Sequence, residues 1–592
     1  MPVYFYTKVF LLRFLGKLGY SLEKSYIRIT FDLFIIITNH IKLKRDKMRQ
    51  PKIIIATIII SIGFLIGCQP ADREYQEQIT ERINQYEEVV LTADLSGLSQ
   101  SERDMIPILI SAADIIDDIF WIQSFGDKEF LMEFMDDRYA REYAMINYGP
   151  WGRLEGHTPF FHSFDDKPLG ANFYPPDMDR EEFDNWENPD KRSPYTMIRR
   201  TAAGDLVSIP YASAFAEQNE QIALYLEMAA KLAEYEPFGK YLTELAEGIK
   251  TDDFRKSDLA WMEIKDNNID FIARPLDTGE DRKFGHKAAH SSYLVVKDHE
   301  MSSRLEHFAA MIPQLQQRLP VPGRYKSEVP GSGSEIFVYD ALYYAGHCNA
   351  GPKIIALHLP RDPEIQQEVG TRSMQLRNVM EAKFDEILKP IGNMMIHEDQ
   401  RDYVQFDAFF HLTAFHEIAG GLGISNTVDG SGSVQDALRE YYGVIDATNT
   451  DLMALFMINQ LYEMGEISEQ QLREAYVTSF ASVMRSSRFG TAGAHGIAGM
   501  MRFNFFAREE AFSRCEDTNT YMVDFDNIKK AIEKLVEQLI ILQGDGDYEA
   551  AQEMIGNYGS MSETLQSDID RINNKNIPVD VVFNQGLRHL DL

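Results

Sequence analysis

Cysteine is nearly absent from this chain: three in 592 residues. That number supports neither a disulfide framework nor a cysteine-rich zinc or iron–sulfur site. Basic residues are also scarce, with 59 Lys and Arg against 91 Asp and Glu, a net charge of −32. A surface this acidic repels nucleic acid and anionic membranes, so neither is expected as a partner. Long apolar runs are missing as well. The best one, from Ile53 onward, is about 15 residues, short of the roughly 20 that span a bilayer. The Gly/Ser stretch at 330–334 has no Gly-Lys-Ser/Thr to close it, which excludes a phosphate-binding P-loop. No internal repeat or low-complexity segment is present. What remains, 44% hydrophobic and 25% charged residues, is the composition of a folded protein with a substantial core.

The first residues differ from the rest. Residues 1–47 carry nine Lys and Arg against three Asp and Glu, with aromatic and aliphatic clusters but no sustained helical period. They fit an added membrane-associated segment, a long signal-anchor, or upstream sequence read from an early start codon; the last is favoured. Met48-Arg49-Gln50-Pro51-Lys52 then forms a short basic region, followed by an apolar stretch of signal-peptide length. Leu65-Ile66-Gly67-Cys68 resembles a bacterial lipobox, so 48–67 reads as a lipoprotein signal peptide and Cys68 as the lipidated residue. Gln69 rather than Asp follows, which gives no inner-membrane retention signal. The expected location is the bacterial cell envelope, lipid-anchored at the outer membrane, with residues 68–80 as a polar tether.

Downstream the pattern is mainly helical. Apolar residues recur every three to four positions at Tyr75–Leu91, Asp104–Phe125, Ala214–Leu232, Glu236–Thr251, Ser373–Leu388, Ala408–Gly420, Val434–Gly465, Ser468–Ser486 and Asp526–Gln543. Short strand-like runs occur at Ile269–Ile272 and Tyr293–Val296. Pro- and Gly-rich punctuation at 320–334 marks a lobe boundary. The 25 methionines read as core filler. The apolar stripe Ile528, Ile532, Leu535, Leu539 and Leu542 reads as internal packing.

The chemically informative segment is Phe409-Phe410-His411-Leu412-Thr413-Ala414-Phe415-His416-Glu417-Ile418-Ala419-Gly420-Gly421. A zincin helix places two histidines at i and i+4 on one face to bind zinc, with a glutamate between them that activates the metal-bound water. Here His416 and Glu417 fit, but Gly420 stands at i+4. His-Glu alone is a weak signal. Five longer strings add to it: "SDLAWMEIKDNNIDFIARPLDTGEDRKFGHKAA" from Ser257, "AGPKIIALHLPRD" from Ala350, "NVMEAKFDEILKPI" from Asn378, "FDAFFHLTAFHEIAGGLG" from Phe406 and "RFGTAGAHGIAGMMRFNFF" from Arg488. In this order they resemble the dipeptidyl peptidase III family of zinc metallopeptidases, in its bacterial form with a five-residue motif, over roughly residues 200–510.

The resemblance implies an α+β, mostly helical, two-lobed fold around a wide cleft. A mixed lobe with a small β-barrel would span 81–335, and a mainly helical lobe carrying the zinc-site helices would span 336–592. It also implies roles. His416 matches the first zinc-binding histidine, Glu417 the catalytic base and His495 a histidine that stabilises the transition state. The other two ligand positions are Gly420 and Ala447, which offer no donor atom; Gly421, where a six-residue motif would put its histidine, offers none either. In the substrate cleft, a Glu-x-Tyr element becomes Asp277-Thr278-Gly279, and an asparagine pair becomes His358 and Arg361. A new metal site from His358, His411, Asp446 and Asp451 is a further option.

The leading reading is a catalytically impaired, lipid-anchored relative that binds a peptide or other small ligand, with no cofactor expected. A zinc-dependent hydrolase with a remodelled metal site is the alternative, and a structural envelope protein the second alternative.

Overall fold

The computed structural model describes residues 69–328, 334–419, 422–490, 494–590 and 592. The leader expected at 48–67, Cys68 and the upstream residues 1–47 lie outside them, as do Gly420 and Gly421. The chain divides into two compact units. The smaller contains, among the described residues, 69–82 and 129–143. Its first element is α1 (Gln69–Ile83), so the tether expected at 68–80 is helical from Gln69 onward. Within this unit Gln76 donates to Asp137 at 3.2 Å.

The larger unit begins with β1 (Tyr86–Val90), where a continuous helix over Tyr75–Leu91 was expected. The strand pairs in parallel with Asp580–Asn584 near the other end of the chain. A local period could not foresee a partner so far away. α2 (Gln100–Ser124) opens on a capping box: Ser99 accepts from the Glu102 N–H at 3.2 Å, and Glu102 accepts from the Ser99 N–H at 2.8 Å. The helix packs on the central sheet and buries Met105, Leu109, Ile116 and Phe120.

That sheet has five strands: β2 (Ile269–Asp277), β3 (Ala289–Asp298), β4 (Ser334–Gly346), β5 (Ala356–Leu359) and β6 (Thr371–Leu376). Their order is β2-β3-β4-β6-β5, with only the β4/β6 pair parallel. Two expectations change here. The Ser373–Leu388 run starts as strand, because every residue of β6 is buried between β4 and β5; a fully buried strand has no polar face to betray its period. The expected small barrel is not closed among the described residues: β2 and β5, nine and four residues long, are the two free edges of a linear order. The sheet also runs across the 335/336 lobe boundary, which falls inside β4.

From Arg377 the chain is mostly helical. α3 (Phe406–Ala419), α4 (Tyr442–Met464), α5 (Glu469–Ser487), α6 (Ala494–Arg508) and α7 (Phe525–Asp545) share one core. Phe410, Phe415, Leu452, Phe456, Phe480, Phe505 and the full stripe Ile528, Ile532, Leu535, Leu539 and Leu542 are buried in it. β7 (Asp580–Asn584) then returns to β1, and its buried Asp580 pairs with Lys383 at 2.8 Å.

A second buried charge cluster holds the loop after β2. Glu280 is paired with Arg153 at 2.8 Å and with Lys167, all three nearly inaccessible. Burial alone would push the Glu280 carboxyl up; the two cations outweigh it and hold it well below its ordinary 4.5. A depressed carboxylate contributes stability above its unfolded-state pKa and loses it as pH falls toward the folded value. Glu280→Gln should therefore cost about 3–5 kcal/mol at neutral pH by leaving two buried cations uncompensated. Urea denaturation across pH should show the parent losing this advantage below about 4.5, while the variant lacks that acid limb.

Candidate functional site

α3 is apolar on nearly all sides, and its partly open positions near the C-terminal end are Thr413, His416, Glu417 and Ile418. The neighbour that receives it is α4, as the resemblance implies. His416 Nδ1 and Asp451 Oδ1 are 2.8 Å apart. The other oxygen of Asp451 pairs with Arg502 of α6 at 2.6 Å. Three helices thus meet through one carboxylate. Burial alone would raise Asp451, but Arg502 and His416 outweigh it and bring it to about 2. Burial acts to lower His416, and the hydrogen bond and charge of Asp451 reverse that, so the imidazole binds its proton more tightly than usual. His495, also on α6, has its ring centroid 6.3 Å from that of His416.

Arg502 escaped the sequence reading. A signal was present: it lies seven residues after His495, two helical turns on, hence on the same face. Tyr442, which hydrogen-bonds Asp446, was likewise not singled out. Burial raises the Asp446 carboxyl despite that bond and the nearby His416 and His495.

The structure tests the fit of zinc to these donors. Ala447 lies one turn before Asp451 on the same face of α4 and is buried. It presents a methyl group where the resemblance places a carboxylate. Gly420 lies outside the described residues and has no side chain in any case. His416 already shares Nδ1 with Asp451, and both Asp451 oxygens are engaged. Among the described residues no group of three His, Cys, Asp or Glu converges as a metal site. The donors present do not fit the family's zinc.

The four-residue metal alternative is also not assembled among them. His411 packs between Phe415 and Phe308, at centroid distances of 5.6 and 6.3 Å, and burial lowers its pKa. It is five residues before His416, so it points well away from it around the helix.

The substrate-cleft residues divide. His358 sits on β5 with its pKa lowered by burial; Glu417 acts against that shift and Arg361 adds to it. That electrostatic coupling puts His358 near both Glu417 and Arg361. Asp277 and Arg361 instead line a common pocket of about 60 Å³ with Leu357 and Leu359. Side chains alternate along a strand, so His358, between those leucines, turns to the opposite face. Asp277 accepts the Gly279 N–H at 3.0 Å.

The Arg502–Asp451–His416 arrangement makes a quantitative prediction. Arg502→Leu should leave Asp451 without its cation and cost about 3–5 kcal/mol, measured by chemical denaturation. Asp451→Asn with Arg502→Leu should cost less than the sum of the single changes.

No family profile matches the chain. It is 29% identical over 579 residues to Nudix hydrolase 3 of Arabidopsis thaliana, covering 87% of this chain and 74% of the plant protein. Among solved structures it superimposes on dipeptidyl-peptidase III from Corallococcus sp. strain EGB with a TM-score of 0.73 and 28% identity, covering 86% of this chain and 96% of the other. On DPP III from Caldithrix abyssi the TM-score is 0.82 and the identity 32%, covering 85% of this chain and 98% of that one. The conserved order of helices is thus accompanied by sequence likeness across the whole of a solved relative, and the chain belongs to the dipeptidyl peptidase III family.

Proposed function

We propose that this chain is a dipeptidyl peptidase III-like protein that binds a peptide or small ligand and hydrolyses it poorly or not at all. The observation that carries the reading is the state of the His416 position. Its one surviving ligand is engaged by Asp451, and the neighbouring ligand position on α4 is the buried methyl of Ala447. Structural zinc sites draw on the order of 10 kcal/mol or more from a full donor set; a lone imidazole does not supply it. Glu417 and His495 persist in the family positions, but without a metal-bound water Glu417 has no activated nucleophile to deprotonate.

The purified protein should carry no stoichiometric zinc and release no dipeptide in a chelator-sensitive manner. Gly420→His together with Ala447→Glu restores the donor types, and zinc should then be retained near one per chain by elemental analysis. Activity need not follow, because Asp277, Gly279, His358 and Arg361 still depart from the family's substrate contacts. Stoichiometric zinc in the parent would defeat this reading and favour a hydrolase with a remodelled site.

The same proposal places the chain on a lipid anchor at Cys68 in the bacterial envelope, supported by the lipobox-like Leu65–Cys68 segment. Attachment would rest on several acyl chains, since one holds only marginally. Cys68→Ala should remain an unprocessed precursor and take up no labelled lipid; normal processing of that variant would remove the anchor from the proposal.

A further inference from the structure

Tryptophan is rare in this chain, four in all. Trp121, Trp151 and Trp261 are buried, whereas Trp186 is partly open to solvent. It lines an open pocket of about 420 Å³ with Glu182, Asn185, Arg200, Gly204, Asp205 and Leu206, a set that shares no residue with the candidate site above. The frame of this pocket is fixed. Trp186 follows the short helix Arg180–Asn185, and the Lys191 ammonium donates to the carbonyls of Phe183, Asp184 and Trp186 at 2.9, 2.9 and 2.7 Å. The remaining wall belongs to the hairpin that pairs Thr196–Arg200 with Leu206–Pro210. Arg200 ties the two together. It forks onto Glu182 at 2.9 and 2.8 Å, reaches Asp177 through Nε at 2.8 Å and donates to the Gly204 carbonyl at 3.2 Å. The indole of Trp186, the carboxamide of Asn185 and the carboxylate of Asp205 stay open; none has a side-chain hydrogen bond or ion pair among the described residues.

We propose that this pocket binds a neutral sugar, with a ring lying on Trp186 and hydroxyls on Asn185 and Asp205. The C–H groups on a pyranose face carry slight positive charge and suit the negative face of an indole. Each sugar hydroxyl both donates and accepts, and the open groups need both: Asp205 only accepts, the indole N–H only donates, and the carboxamide does either. Other ligand classes fit worse. An anion meets the Asp205 carboxylate and an Arg200 whose donors are already engaged. A cation suits Asp205 and the indole face but leaves the indole N–H and the Asn185 amide with nothing to donate to. The volume falls within the roughly 300–1,000 Å³ of small-ligand sites and has room for a sugar ring.

Acrylamide quenching of tryptophan fluorescence in the full chain reads this pocket, because Trp186 is the indole that solvent reaches. Cellobiose, maltose and di-N-acetylchitobiose are the probes. At least one should protect Trp186 saturably. Glycerol, which has hydroxyls but no ring, and choline, a cation, should not. In calorimetry with the protecting sugar, Trp186→Ala and Asp205→Asn should each lower affinity about tenfold or more, and Asn185→Ala about fivefold. Urea midpoints of the three variants should match the parent, since these side chains are open to solvent, so lost binding is not lost folding. Protection by none of the sugars, or sugar binding that survives Trp186→Ala, would overturn the proposal. Protection by choline without protection by sugar would overturn it and give the pocket to a cation. The ligand-binding reading of the cleft rests on other residues and stands or falls separately.

Discussion

The partly buried carboxylate of Asp451 is the constraint on which the candidate site depends. One oxygen takes Arg502 and the other His416, so α3, α4 and α6 are cross-linked at a single point on the margin of the apolar helical core. A charge in that setting is tolerated only when its hydrogen-bonding capacity is used. Arg502 supplies compensation, and His416, itself 27% exposed, supplies the second partner. The geometry gives the imidazole a structural role: its loss would leave an Asp451 oxygen unsatisfied.

The same logic recurs away from the site. Glu280 with Arg153 and Lys167 holds the loop after β2, and Asp580 with Lys383 fastens the returning C-terminal strand. Each cluster ties together segments that are far apart in sequence. The loop that Glu280 anchors directly follows Asp277, and the sheet edge opposite carries Arg361 beyond β5. Placement of Asp277 therefore depends on a buried ion-pair cluster whose members are far apart in sequence.

Under the proposed reading, the scaffold outlasts the family's chemistry because the two rest on different atoms. Folding of the helical lobe depends on Phe410, Phe415, Leu452, Phe456 and their neighbours, none of which is a metal donor. Loss of donors at 420 and 447 removes no buried apolar surface from that core. A methyl group at Ala447 packs where a buried carboxylate would need a counter-charge. Substitutions of this kind change function at little cost in stability, which is consistent with a retained fold around an altered site.

Much of this was legible in the chain. The helices at 236–251, 469–487 and 525–545 announce themselves by period, because each has one face in the core and one toward water. That Gly420 and Ala447 carry no metal-donor atom is a statement about side-chain chemistry and needs no coordinates. Other features depend on long-range pairing. β1 is a strand because Asp580–Asn584 lies beside it, and β6 because β4 and β5 enclose it. The partnership of Arg502 with Asp451, and the separation of His358 from the Asp277–Arg361 pocket, arise from helix packing and strand alternation in three dimensions. Local sequence determined which groups were available; only the tertiary structure decided which charges face one another, since that depends on contacts between segments that no local period records.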